Sequence, residues 1–198
     1  MPRIVVVVEG HGDVESVPII VRRLVATDQP ECGVEVAFPI RIPRHRIVKK
    51  AELERAVLLA RGRLEGNDGG VLIVIDADDD CPAHLGPKLL GECRSVAPDL
   101  RVAVTLAMRE MESWFLAAAS SLAGQRGLSA GIIAPPDPET IRDAKGWLSG
   151  RLPGGTAYSP VVDQPALAAL FDLDQAMACP SFRKFRRDVR YLVTGVTG

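Results

Sequence analysis

The chain reads as an α/β protein with an open, mostly parallel sheet and helices on both faces. Residues 4–8 and 71–75 are unbroken aliphatic runs without polar alternation, the pattern of strands covered on both sides. Segments with apolar residues at helical spacing alternate with such runs over the first 123 residues. Turns rich in Gly, Asn and Asp separate them.

Ile4 to Val8 forms the first strand, and Gly10-His11-Gly12 breaks it. Val14, Val17, Ile20, Val21 and Leu24 then recur at helical spacing. Pro18 suits only a first turn, so this helix is expected to begin between Asp13 and Ser16. Residues 34–42 read as a second strand, placed near an edge because Pro39 removes a ladder donor. Leu53, Ala56, Val57, Ala60 and Leu64 mark a helix over 51–65, which Gly66-Asn67-Asp68-Gly69-Gly70 ends. Val71 to Ile75 is the next buried strand. A helix follows across 83–96, weakened by Gly86, Pro87 and Gly91, and Arg101 to Leu106 is another strand. The Ala- and Leu-rich stretch 112–123 reads as helical, with Trp114 in the core. Beyond residue 124, Gly, Pro and Ser punctuate helical pieces near 138–149, 165–178 and 181–192. Two units are therefore expected: an α/β unit over 1–123 and a helical extension over 124–198 packed on it.

Apolar residues make up 47% of the 198, enough for a core, while aromatics are only 5%, so Val, Leu, Ile and Ala must supply it. No apolar run is long enough to span a bilayer. The start is too short in its apolar run, and too acidic after it, for a signal peptide. Cys32, Cys81, Cys93 and Cys179 show no C-x-x-C pair, which speaks for reduced thiols in a cytoplasmic protein rather than a disulfide framework or a zinc cluster.

A net charge of −1 conceals a separation of charge. Arg41, Arg44, Arg46, Lys49 and Lys50 form one basic cluster, and Arg183, Lys184, Arg186, Arg187 and Arg190 another. The acids gather after strands: Glu9 and Asp13 after the first, Asp76, Asp78, Asp79 and Asp80 after the run 71–75, Glu110 and Glu112 after 101–106. Loops at the carboxyl ends of parallel strands share one crevice, so eight of the chain's 25 acids are expected near one another. Crowded carboxylates raise one another's pKa unless something neutralises them, and an oxygen-only donor set favours Mg²⁺, Mn²⁺ or Ca²⁺ over zinc. If the chain stays extended through Asp76-Ala77-Asp78, both carboxylates face one side and suit one or two ions.

The bland reading of these acids is helix capping, with Asp13 and Asp80 as N-caps. An EF-hand loop starting at Asp76 fails, because Cys81 and Pro87 stand where Gly and Glu are required. Glu9-Gly10-His11-Gly12-Asp13 lacks the Lys-Ser/Thr ending of a P-loop. A haloacid-dehalogenase-like phosphatase, with the first Asp of D-x-D as nucleophile, expects Thr or Val where Asp80 stands. His11 reads as a surface loop residue beside Glu9 and Asp13. Lys145, Tyr158 and Lys184 are polar residues of the tail within conceivable reach of a phosphate.

Ile4-Val5-Val6-Val7-Val8-Glu9-Gly10 with Asp13, followed by Val74-Ile75-Asp76-Ala77-Asp78, resembles the TOPRIM (topoisomerase–primase) superfamily. Arg109-Glu110-Met111-Glu112-Ser113-Trp114-Phe115, Tyr158-Ser159-Pro160 and Pro180-Ser181-Phe182-Arg183-Lys184-Phe185 are similar to features of an uncharacterised bacterial family placed in that superfamily. The nearest catalytic likeness is to nuclease domains of OLD-type (overcoming lysogenisation defect) proteins, which act in phage defence. This resemblance covers roughly residues 3–115 and implies a TOPRIM-like metal-binding domain over 1–123. It further implies that Glu9 and Asp13 hold one Mg²⁺ or Mn²⁺, that Asp76 and Asp78 bind or bridge to a second, and that Glu110 or Glu112 completes the set, with Asp80 as a further metal candidate. Glu9, Asp76, Asp78 and Glu112 are then the catalytic carboxylates, and Lys145 is the candidate for the downstream Lys of those nucleases. OLD-type proteins fuse this domain to an ATPase that this sequence lacks, so a separate ATPase becomes an expected partner, alongside a second copy of the chain.

The expected activity is metal-dependent cleavage of nucleic-acid phosphodiesters. Arg41, Arg44, Arg46, Lys49, Arg183, Lys184 and Arg186 would hold the backbone without reading sequence. The alternatives are a non-catalytic metal-binding subunit docked on an ATPase and the phosphatase described above. All of these rest on Glu9, Asp76 and Glu112 meeting in space.

Overall fold

The computed structural model describes residues 1–196; the last two residues of the expected extension, 197–198, lie outside the described residues. Among the described residues five parallel strands form the sheet. β1 (Arg3–Val8) and β4 (Gly69–Asp76) lie at its centre, β5 (Val102–Ala107) at one edge, and the short β2 (Glu35–Val36) and β3 (Ile40–Arg41) both pair with the outer side of β1.

Side chains alternate across the sheet, and both faces are covered. Ile4, Val6 and Val8 point into a core shared with α1 (His11–Asp28), α5 (Ser113–Ala117), α7 (Asp163–Leu170) and α8 (Pro180–Thr194). Val5 and Val7 point the other way, against α3 (Lys50–Leu64) and α4 (Pro82–Val96). Both faces are dry, so the strand sequences carry no polar alternation. The helices after residue 112 share the first core with the sheet. Trp114, Phe115, Phe171, Phe182 and Phe185, all fully buried, interlock there in edge-on and tilted pairs.

Several boundaries depart from the sequence reading. α1 begins at His11 rather than after Asp13, which puts Pro18 inside the helix. Pro18 forfeits the N–H that would bond the Val14 carbonyl, yet Val17, Ile20, Val21 and Leu24 are almost fully buried around it. The strand expected over 34–42 is two pieces, because Val36 pairs with Ile4 whereas Ile40 pairs with Val7. The outer chain therefore spends one residue more than β1 over that stretch, and it bulges at Ala37-Phe38-Pro39. The helix expected over 112–123 is broken into α5 and a 3-10 turn, Ala119–Leu122. Among the described residues of the tail, α6 (Ala144–Ser149), α7 and α8 are α-helical, while Pro138–Thr140 and Gln175–Ala178 are 3-10 turns. A short α2 (Arg44–Ile47) follows β3.

No helix among the described residues is long and apolar enough to cross a membrane.

Candidate functional site

From β1 the chain moves outward to β2 and β3, then returns to the opposite side of β1 as β4. The switch point of the sheet thus lies between β1 and β4, where ligands bind in open α/β folds. Val8 is in register with Val74, so Glu9 and Asp76 leave adjacent strands at the same end. Asp13 stands in the first turn of α1, and Glu112 immediately precedes α5.

These four acids line one cleft of about 360 Å³, together with His11, Lys145, Pro160 and Gln164. Glu9, Asp76 and Glu112, from three separate segments, thus line the same cleft. Each carboxylate but one is held by a defined donor. The Met111 N–H donates to Asp76 Oδ1 at 2.8 Å, and Gly10 N–H to Asp13 Oδ2 at 2.8 Å. Gln164 Nε2, from the start of α7, donates to Asp13 Oδ1 at 2.7 Å. Lys145 Nζ donates to Glu112 Oε2 at 3.0 Å and to Glu110 Oε1 at 2.9 Å, and the Tyr158 hydroxyl donates to Glu112 Oε1 at 3.3 Å. The exception is one oxygen of Glu9: among the described residues its buried Oε2 has no hydrogen-bond partner.

The electrostatics follow from burial and crowding. Burial, then the neighbouring Asp13 and Asp78, push the Glu9 carboxyl up to about 7, against the opposing pull of Arg44. Asp76 lies well above the usual carboxylate range, mainly through burial and then through Glu112, Asp13 and Glu9. Burial also raises Glu112, although Lys145 draws it back. For Lys145, burial alone would favour the neutral amine; Glu112 and Asp76 outweigh it, and the ammonium is held above its ordinary range. The Tyr158 phenol is raised by burial and by Glu112, so it remains a donor.

The remaining acids do not join the cleft. Asp78 has φ +49°, so the chain turns there instead of staying extended, and the two carboxylates of D-x-D diverge. The Asp78 carboxylate pairs with Arg44 at 2.8 Å, near enough to Glu9 to be felt but not lining the cleft. Asp80 also pairs with Arg44, at 2.7 Å, while Asp79 pairs with Arg109 and Arg142. Three arginines thus neutralise this loop, and four acids rather than eight gather at the strand ends. Glu110 turns towards the start of α6, where its Oε2 accepts from the Ala144 N–H at 2.9 Å. Among the described residues no three His, Cys, Asp or Glu side chains stand as a ready-made ligand set.

The two basic clusters are placed differently. Arg41 Nη1 donates to the Glu9 carbonyl at 3.3 Å, and Arg44 lies beside Asp78, so both border the cleft. Arg46 is taken by Glu52, and Lys49 is exposed at the start of α3. The second cluster lies elsewhere. Arg186 Nε donates to Asp28 at 2.8 Å, at the far end of α1 and about 22 Å along its axis from Asp13. Lys184 Nζ donates to the Val104 carbonyl at 2.7 Å and pairs with Asp188, and Arg183 closes on the Met177 carbonyl. Arg183, Lys184 and Arg186 thus make their contacts within the fold around α8, away from the cleft.

Gln164 was invisible to sequence reasoning, because a lone Gln in a helical tail carries no motif. Tyr158, a polar tail residue that the sequence leaves without a partner, gives its hydroxyl to Glu112. A signal existed for neither role, since both depend on how α6 and α7 pack against α1.

The fold and cleft define a class: an α/β protein whose parallel strands end in buried carboxylates, closed over by a lysine, a tyrosine and a glutamine from its helical second half. The chain belongs to the family described as domain of unknown function DUF4276, whose model matches residues 8–190. No curated protein and no solved structure matches it.

Proposed function

We propose that this protein is a divalent-metal-dependent nucleic-acid phosphodiesterase. The observation that carries the reading is the convergence of Glu9, Asp13, Asp76 and Glu112 at the switch point, with Glu9 Oε2 buried and unpartnered. A buried acceptor without a donor is costly unless something supplies positive charge. The oxygen-only set suits Mg²⁺ or Mn²⁺. Glu9, Asp13 and Asp76 would hold one or two ions, completed by Glu112. Such ions, when bound, polarise a phosphoryl oxygen and lower the pKa of a coordinated water.

The chain's own groups do the rest. Lys145 presents a protonated amine beside Glu112, able to donate to a phosphate oxygen as negative charge builds there. Gln164 and Tyr158 fix the orientation of Asp13 and Glu112. Arg41 and Arg44 border the cleft and would attract the phosphate backbone whatever its sequence.

Incubating the purified chain with labelled DNA and RNA in Mn²⁺ tests this. Cleavage by the wild type and its loss in a folded Asp76→Ala variant are expected. Undiminished cleavage by Asp76→Ala would sink the assignment. Cleavage only when a separate ATPase is added would identify the chain as a metal-binding subunit of a shared machine.

A further inference from the structure

Phe38 is 74% exposed, although its neighbour Ala37 packs against the sheet core. Its exposure has a structural cause. The bulge between β2 and β3 inserts a residue opposite β1, and Pro39 cannot donate to the ladder, so the segment is pushed outward with its aromatic ring in water. Leaving that ring in water forgoes the stabilisation that its burial would bring.

Cations flank the ring. Arg63 Nη1 donates to the Phe38 carbonyl at 2.8 Å, which fixes a guanidinium at the backbone carrying the ring. Arg41 lies three residues on, about 10 Å along an extended chain, with its guanidinium over the Glu9 carbonyl at the mouth of the cleft. Among the described residues neither arginine has a carboxylate partner, whereas the neighbouring Glu35 and Glu65 are both neutralised by Arg3 at 2.8 Å. Positive charge therefore stands at the Phe38 carbonyl, through Arg63, and again beside the cleft, through Arg41, with the exposed ring of Phe38 on the segment that joins them.

From this we infer that the bulge binds single-stranded nucleic acid, with one unpaired base stacked on Phe38 and flanking phosphates on Arg63 and Arg41. Stacking on an aromatic side chain between basic groups is how single strands are held without sequence reading. In a duplex the base faces are already stacked inside the helix and cannot meet the ring. The inference rests on the phosphodiesterase reading for the nature of the polyanion, and it narrows the substrate to single strands or frayed ends.

Binding measured without divalent ions separates the two claims. The probes are a fluorescein-labelled mixed-sequence single-stranded oligonucleotide and its duplex, in EDTA. The wild type should prefer the single strand, and Phe38→Ala should weaken that binding about tenfold while leaving duplex binding and the melting temperature unchanged. In Phe38→Trp the indole emission should be quenched by the oligonucleotide. Equal single-strand affinity of Phe38→Ala and wild type, or no binding to either probe, overturns the inference. So does a concentration-dependent dimer that Phe38→Ala abolishes, since the ring would then seat a second copy. Cleavage that persists despite unchanged Phe38→Ala binding overturns only this inference, and tight single-strand binding without cleavage in Mn²⁺ overturns only the enzyme reading.

Discussion

Lys145 Nζ lies 3.0 Å from Glu112 Oε2, and the Glu112 side chain is only 2% exposed. The two come from segments that the sequence separates by a change of character, yet one ammonium neutralises the most buried acid of the cleft and also reaches Glu110 at 2.9 Å. Removing it would leave two carboxylates without their countercharge. Lys145 is itself partly exposed, so water would screen part of the loss. Lys145→Met is expected to lower stability by about 2 kcal/mol in urea unfolding at pH 8. Added Mn²⁺ should restore much of that loss, because a cation in the cleft supplies the missing charge. A variant as stable as wild type without metal would show that the pair contributes nothing.

Asp76 presents the opposite case. It is buried among Glu9, Asp13 and Glu112, and its carboxyl is raised well above the usual range. Asp76→Asn keeps an acceptor for the Met111 N–H and removes the repulsion. The metal-free variant should therefore be more stable than wild type by about 1 kcal/mol at pH 8, while losing divalent-ion binding and cleavage. Thermal melts with and without Mn²⁺ measure both. The stabilising sign is the informative part, since a merely structural aspartate would lose stability on substitution.

The pH profile carries the same signature. Glu9 titrates near 7 in the folded chain against an ordinary value of 4.5. Between those values the folded state binds more protons than the unfolded one, so stability falls as pH rises. The contribution is fully present below about pH 4.5 and is lost as pH passes through 7. Metal-free protein should lose about 2 kcal/mol from this group between pH 5 and pH 8, with Asp76 and Glu112 adding in the same direction. Glu9→Gln should flatten the slope, and saturating Mg²⁺ should reverse it by favouring the ionised carboxylates. A profile that rises monotonically from pH 5 to pH 8 without metal would contradict the burial of these acids.

How much of this was legible beforehand depended on the range of the cause. The central strands were plain, because a strand buried on both faces has only one composition open to it. Glu9 and Asp76 could be brought together from sequence, since parallel strands must end on one side. The fate of Asp78 and Asp80 could not be foreseen, because it turns on a positive φ and on Arg44 arriving from a helix more than thirty residues earlier. The Gln164–Asp13 bond spans 151 residues and joins the two halves of the chain, a distance at which no local pattern operates. Pro18 misled for a related reason: propensity places it in a first turn, but the packing of Val17, Ile20 and Val21 overrides the lost hydrogen bond.

That long-range contact can be tested through a residue with no side chain. A Cβ on Gly12 would stand 2.0 Å from Gln164 Oε1 and 2.3 Å from the Pro160 carbonyl oxygen. Gly12 lies in α1 with ordinary helical backbone, so what forbids alanine there is the closeness of the α7 segment. Gly12→Ala must push residues 160–164 away and so release Asp13 from Gln164. The expected cost is about 2 kcal/mol of stability, with Mn²⁺ affinity lowered about tenfold as Asp13 loses its orientation. Gly62→Ala is the control: it is also helical, nothing lies within 4 Å of its added Cβ, and alanine there should stabilise by about 0.5 kcal/mol. If both substitutions behaved alike, the segment 160–164 would not press on the start of α1, and Gln164 would have no part in orienting Asp13.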